Sequence, residues 1–435
     1  MNILYICADA GIPVLGRKGA AVHVREMCGA FARARHRVTL AAQSLVKSED
    51  DERAPVRARV IHVQSSPNTT TAVHAFKHFN EQLGLENSMP GELRRLLFNE
   101  SLYQDLKRRF FHHRPAFIYE RASLYGTAGV RLAAKFKVPL IVELNAPLAI
   151  EQAAYRATGF GELAAQAERW TLTHADAVVV VSAELAKHVR SLGVKASRIH
   201  VMPNGVNPEL FCPNKTEHGC DRQTQPPRAE TNESAVAGAV HTAACRNDMS
   251  VPVLGFVGGL RPWHGVEVLP ELMARLGKKF PDVRLVIAGD GQLRGELERE
   301  FKRRGLTKRV TFTGALLHEK IPGVIRKFDV ALAPYPKHNH DFYFSPLKLY
   351  EYMACGVPVV AAKLGQIAKS VNHGKTGWLY PPGNVAALVA GCEQLLRDAA
   401  LRRKIGDAAA KLIHAKFTWD HNAVRVVKLA KVLKG

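Results

Sequence analysis

The sequence has no apolar run near the ~20 residues that cross a bilayer. Met1 to Gly11 carries neither a basic leader nor an apolar stretch of signal-peptide length, so the start is expected to be a strand and the protein cytoplasmic. Cysteine is sparse and scattered: Cys7, Cys28, Cys212, Cys220, Cys245, Cys355 and Cys392 are odd in number and form no C-x-x-C pair. That pattern argues against a disulfide framework and for reduced thiols. No His, Cys or Asp cluster has metal-ligand spacing. Acidic residues are in deficit, 39 against 61 Lys and Arg, which leaves a formal charge of +22. Such a balance suits nucleic acid, an anionic membrane surface or anionic substrates, and equally a merely basic surface. With no helix-turn-helix, zinc-finger or RNA-recognition signature, nucleic acid ranks last.

What remains is an ordinary soluble composition, 47% apolar and 23% charged. At 435 residues the chain is too long for one core, so two domains are expected. Short runs rich in β-branched residues recur in the first half: Ile3 to Cys7, RVTLAAQ, RVIHVQ, AFIYER, PLIVELN, AVVVVSA and RIHVMPNGV. Helical patterns separate several of them, from about Ala20 to Arg33 and from Gly126 to Phe136. Repeated βα units predict a doubly wound parallel sheet. The pattern breaks between Cys212 and about Ser250, a polar stretch read as a linker or disordered insertion. It restarts with VPVLGFVG, RLVIAGDG, RVTFTG, VALAPY and PVVAA. The expected division is a Rossmann-like domain over 1–205, a linker over 206–250, a second Rossmann-like domain over 251–415, and a basic amphipathic helix over 416–435 that returns to the first domain. Ligands of open α/β sheets bind beyond the strands' carboxyl ends, so the interdomain cleft is the expected site.

The most specific stretch is FYFSPLKLYEYMACGVPVVA, Phe342 to Ala361. Ser345 is suited to cap a helix, with Pro346 in its first turn, that runs through Leu347, Lys348 and Glu351 and ends at Gly356. The N-terminus of such a helix suits a diphosphate, and Glu351 is placed to accept bonds from two ribose hydroxyls. An ordinary buried helix with Glu351 paired to a lysine fits the same residues. In FVGGLRPWHGVEVL, Arg261 and His264 follow a strand-end glycine turn; in GRKGAAVHVREM, Gly19 and Ala20 open a helix where backbone can approach a phosphate or sugar. His23, on that helix, reads as a satisfied polar residue. In PLIVELNAPLAIEQ, Asn145 ends a strand, with Glu143 two residues earlier on the same face and Glu151 further on.

Taken together, these stretches resemble retaining glycosyltransferase family 4, a family with the GT-B fold, over nearly the whole chain. The resemblance implies α/β architecture, two Rossmann-like domains facing across a deep cleft. It also implies that the SPLK-containing stretch binds a nucleotide diphosphate sugar. The family pattern has two glutamates eight positions apart; here Tyr343 replaces the first and Glu351 is the second, which marks a subtype. Asp341 and Tyr343 are then candidates for holding the donor sugar. Gly259 falls where the family has an arginine, a role Arg261 can take two residues on, and His264 falls at the family's lysine. Asn145 stands where many members have a histidine. The resemblance thus assigns catalysis to Arg261, Asn145 and His264. It assigns donor binding to Gly19, Ala20, Leu316 (by its backbone, near the base), Ser345, Leu347, Lys348 and Glu351.

The implied activity is retaining transfer of a sugar, from UDP as first choice of carrier, to a glycan or lipid-linked acceptor in polysaccharide or glycolipid assembly. No D-x-D motif is present to carry a divalent cation, and neither metal nor cofactor is expected. The alternatives are a nucleotide-sugar epimerase on the same fold and a catalytically inactive nucleotide-sugar-binding partner. Between Gly91 and Arg114, Leu93, Leu96, Leu97, Leu102, Leu106 and Phe110 recur at helical spacing beside Arg94, Arg95, Lys107, Arg108, Arg109 and Arg114. That helix fits either peripheral contact with an anionic membrane or a core-packed helix with a basic outer face.

Overall fold

A computed structural model describes residues 1–48, 52–155, 158–213, 251–338 and 341–435. The stretch read as an insertion, beyond Pro213, lies outside the described residues. The β-branched runs form the strands of two parallel sheets. The first contains β1 (Asn2–Cys7), β2 (Arg37–Ala42), β3 (Arg59–His62), β4 (Phe117–Arg121), β5 (Leu140–Leu144), β6 (Ala177–Val180) and β7 (Ile199–Val201), in the order β3-β2-β1-β4-β5-β6-β7. The second contains β8 (Val253–Val257), β9 (Arg284–Ala288), β10 (Val310–Gly314), β11 (Val330–Ala333), β12 (Val359–Ala362) and β13 (Trp378–Tyr380), in the order β10-β9-β8-β11-β12-β13. Each order reverses once, at β1/β4 and at β8/β11, which is where open sheets leave a crevice for ligands.

The first sheet is covered on both faces, as its unbroken apolar strands require. Tyr5, Phe31, Tyr119 and Trp419 pack on one side; Leu4, Ile118, Leu132 and Val142 pack on the other. Trp419 arrives from the far end of the chain. Thr418 caps the helix Trp419–Lys434, which lies against the helix Gly19–Arg33 and buries Val426, Val427 and Ala430 in the first domain's core. Arg33 Nε holds Asp420 Oδ1 at 2.8 Å across that contact. The second sheet has a core of its own around Leu254, Leu285, Leu332, Val360 and Tyr352.

The helix Met89–Arg109 turns its apolar stripe inward: Phe98, Leu102 and Leu106 are buried in the core with Leu132 and Phe136. Its start is pinned by the buried carboxylate of Glu92, which accepts bonds from Ser88 Oγ, Tyr125 Oη and Thr158 Oγ1 and from the backbone N–H groups of Gly159 and Phe160. Phe98, Leu102 and Leu106 are therefore spent on packing and are not free to enter a membrane, while Leu93, Leu96 and Leu97 are half-buried. Arg94, Arg108 and Arg109 remain exposed, the last two paired with Asp105.

Candidate functional site

The two domains meet through residues at the carboxyl ends of their strands. Residues Tyr343 to Ser345, just before the short helix Leu347–Ala354, lie against the first domain. Ser182 Oγ, just after β6, donates to the carbonyl of Tyr343 at 2.8 Å, and the Tyr343 hydroxyl donates to Glu151. The backbone N–H of Asn204 donates to Ser345 Oγ at 2.9 Å. Leu347 packs onto the first domain's core, and a side chain at Gly19 would touch its Cδ1 at 3.8 Å. The two helix starts expected to meet the donor, at Gly19 and at Leu347, thus face each other across the cleft.

Ser345 does not cap the helix as expected. Proline 346 occupies the cap position, where no side chain bonds the helix N–H groups, and Ser345 Oγ is held between Asn204 and the Tyr350 hydroxyl. The interdomain hydrogen bond wins over the local one. The helix closes at Ala354, with Gly356 at φ 73° just beyond.

Lys348 is the least satisfied cation here. It is 8% exposed, and its Nζ has no hydrogen-bond partner. The ammonium lies 4.1 Å from the Phe256 ring centre and 5.4 Å from that of Tyr335, a cation–π setting. Burial pushes its pKa down to about 7, against the pull of Glu351. Gly258, at φ 137°, makes room for it: a Cβ there would stand 2.7 Å from Nζ. One turn on, Glu351 is buried, and its Oε1 accepts from His318 Nε2 at 2.7 Å rather than from a lysine.

The strand-end loop after β8 carries Arg261 and His264. Arg261 is exposed, with Nη1 on Gln292 Oε1 at 2.6 Å and its guanidinium 5.8 Å from the Trp263 ring. His264 turns inward, its Nδ1 2.5 Å from the Gly259 carbonyl. Burial and the neighbouring Lys348 push its pKa down to about 3, so its imidazole is neutral. It cannot stand in for a cationic lysine; it braces the glycine turn. Leu316 packs partly buried against the second core, in the loop between β10 and the helix Ile321–Ile325, and Ala20 packs likewise against the first core. Asp341 is exposed.

On the first domain, Asn145 Nδ2 donates to Glu143 Oε1 at 2.8 Å, so its amide is already engaged. Glu143 is 2% exposed and also accepts from Tyr119 Oη at 2.9 Å; His23 Nε2 stands 2.5 Å from its Oε1. Burial opposes its charge, but His23, Arg121 and the Asn145 bond prevail and hold its pKa at about 2. Glu143 is thus a buried anion organising His23, Tyr119 and Asn145 at the rim of β4 and β5. An open depression of about 930 Å3 lies elsewhere, beside the second half of the helix Met89–Arg109, and contains none of these residues.

Sequence reasoning missed His318, Glu26, Phe256, Tyr335 and Ser182. Ser182 had a signal, a hydroxyl residue between a buried strand and a helix. The others are a lone histidine in a loop, a helix glutamate, and aromatics that read as core.

Residues 17–210 match the family model for glycosyltransferase family 4, and residues 251–398 match that for glycosyl transferases group 1. The chain is 33% identical over 167 residues to an alpha-D-kanosaminyltransferase of Streptomyces kanamyceticus, covering 38% of this chain and 42% of that one. It is 28% identical over 326 residues to a D-inositol 3-phosphate glycosyltransferase of Mycobacterium tuberculosis, covering 71% and 60%. The chain therefore spans less than two thirds of the length of these curated relatives. Among solved structures it superposes on sucrose-phosphate synthase of Thermosynechococcus elongatus with a TM-score of 0.69 at 21% identity, covering 100% and 99% of the two chains. It superposes on Anabaena Alr3699/HepE in complex with UDP with a TM-score of 0.67 at 19% identity, covering 99% and 100%. These likenesses show the GT-B architecture.

Proposed function

With a family 4 first domain and a group 1 second domain the chain belongs to the family 4 glycosyltransferases, and we propose that it transfers a sugar from a nucleotide diphosphate donor, UDP first, with retention at the anomeric carbon. The observation that carries this is the buried, unpartnered Lys348 ammonium at the start of the helix Leu347–Ala354, with Glu351 one turn on. An unpaired buried cation is costly, and a diphosphate is the anion that would offset it. Glu351 would take the ribose hydroxyls, and Arg261 would swing from Gln292 to the leaving phosphate. The cations for the diphosphate are side chains, and turnover is expected to survive EDTA.

In this reading the acceptor oxygen attacks the anomeric carbon as the bond to the diphosphate breaks. The acceptor proton passes to the departing phosphate oxygen. The protein contributes positioning and charge stabilisation. Asn145, oriented by Glu143, faces the acceptor side, which would be a glycan or lipid-linked hydroxyl. Calorimetric titration of UDP and GDP into wild type and Glu351→Ala tests the site; unchanged affinity in the variant would remove the ribose assignment.

No helix among the described residues is long and apolar enough to cross a membrane. A cytoplasmic, peripheral association with an anionic leaflet fits the basic face of the helix Met89–Arg109. Apolar contact would come from exposed Phe79, Leu83, Leu85 and Phe111 nearby, since Phe98, Leu102 and Leu106 of the helix itself are internal. Flotation with anionic vesicles at low and moderate salt tests it: binding indifferent to lipid charge would end the idea.

A further inference from the structure

Two carboxylates from opposite domains converge on one imidazole. His318 Nε2 lies 2.7 Å from Glu351 Oε1 on the helix Leu347–Ala354, and His318 Nδ1 lies 3.7 Å from Glu26 Oε1 on the helix Gly19–Arg33. All three side chains are at most 14% exposed. The Phe211 ring closes one side of the imidazole, 5.0 Å between centres. Other charges nearby are turned elsewhere or act at a distance. Arg25 Nη1 is committed to the carbonyls of Val14 and Gly16, Glu319 is exposed, and Lys348 acts on Glu351 through its charge. Next to the triad, Arg17 Nη1 reaches the carbonyl of Ala315 at 3.4 Å, so the loop carrying His318 touches the first domain twice.

We propose that His318 is a positioning residue: it holds Glu351 in place for the donor ribose and, through Glu26, ties that carboxylate to closure of the first domain over the donor. The proposal rests on Glu351 being the ribose carboxylate. Only the imidazolium can serve both neighbours, because it alone has two N–H donors. A neutral imidazole keeps one carboxylate and turns a lone pair to the other. Burial works against the charge on His318, but the two carboxylates outweigh it and raise its pKa to about 9. The bridge is therefore complete at neutral pH and is lost as pH rises through about 9. Nucleotide affinity should fall with it, beyond the fall that loss of the Lys348 charge brings to wild type and His318→Gln alike.

The test titrates UDP into the full chain, wild type, His318→Gln, Glu26→Gln and Glu351→Ala, at steps from pH 7 to 10. Ionisation of uracil and of Lys348 is common to wild type, His318→Gln and Glu26→Gln and cancels in the ratios of their affinities. Wild type is expected to bind about tenfold more tightly than His318→Gln at pH 7, the value of one charged hydrogen bond, with the ratio falling towards one by pH 10. Glu26→Gln, which removes one of the two supporting charges, should move the midpoint of that fall to lower pH. A ratio that stays flat with pH overturns the proposal. Should His318→Gln not fold, the ratio of wild type to Glu26→Gln is read instead: it should rise above one between the two midpoints, and a ratio of one at every pH from 7 to 10 overturns the proposal. If Glu351→Ala binds UDP as wild type does, the ribose reading fails and takes the proposal with it. If Glu351→Ala binds weakly while His318→Gln binds normally at every pH, the proposal alone fails.

Discussion

Lys348 holds its ammonium 4.1 Å from the centre of the Phe256 ring, in a buried position with no hydrogen-bond partner. Burial pushes its pKa down to about 7, so near pH 8 much of the free protein carries it neutral. A bound diphosphate favours the charged form and should draw a proton from solution. Calorimetry of UDP at pH 8, where its phosphates are fully ionised, in buffers of different ionisation enthalpy is expected to show uptake of roughly half a proton or more. Lys348→Met should abolish the uptake and weaken UDP roughly 10–100-fold, the worth of a charge-assisted bond. Wild-type binding without proton uptake at pH 8 would place the diphosphate elsewhere.

Arg261 is exposed and held by Gln292, so its loss should leave folding alone. Its expected work is on charge that develops as the diphosphate leaves. Removing about 3 kcal/mol of such stabilisation lowers turnover about 150-fold. Arg261→Ala with wild-type turnover and wild-type melting would pass that task to Lys348. His264 is not expected to share it, since burial and the neighbouring Lys348 hold its pKa down to about 3 in the free protein.

Glu120 on β4 is 1% exposed, and its Oε2 has no partner. Burial raises its pKa to about 8. In the unfolded chain the carboxyl ionises near its ordinary value, while the folded protein keeps the proton. Stability should therefore fall as pH rises from about 4.5 to 8 and level off above. Glu120→Gln removes that penalty. Urea unfolding should show the variant gaining roughly 2–5 kcal/mol over wild type at pH 8.5 and little at pH 4.5. An equal difference at both pH values would mean Glu120 is not the titrating group.

The strands were legible because buried parallel strands must be apolar throughout, and runs such as LIVEL and AVVV admit little else. β13 escaped notice because three residues, Trp378 to Tyr380, carry no periodicity. The helix Met89–Arg109 showed its stripe but not its direction; which partner covers an apolar face is a tertiary fact. At the site, Lys348 and Glu351 could be read from a helix start with a charge one turn on. The aromatic seat of Lys348 could not, since Phe256 and Tyr335 are separated from it in sequence and resemble core. His318 was invisible for the same reason: its partners Glu26 and Glu351 lie 292 and 33 residues away. Ser345 shows the converse, a correct local capping signal overridden by Asn204 from the other domain.

In the proposed reaction this site cleaves the bond between a sugar and a nucleoside diphosphate. That cleavage is tested most directly by incubating purified, EDTA-treated protein with UDP-, GDP- and ADP-sugars and measuring release of nucleoside diphosphate against the Lys348→Met variant. Release is expected from at least one donor, UDP-linked first, undiminished by EDTA and largely lost in the variant. A protein that is thermally stabilised by a nucleotide sugar yet releases no diphosphate from any donor, with or without added divalent metal, would contradict it and leave a binding protein in place of an enzyme.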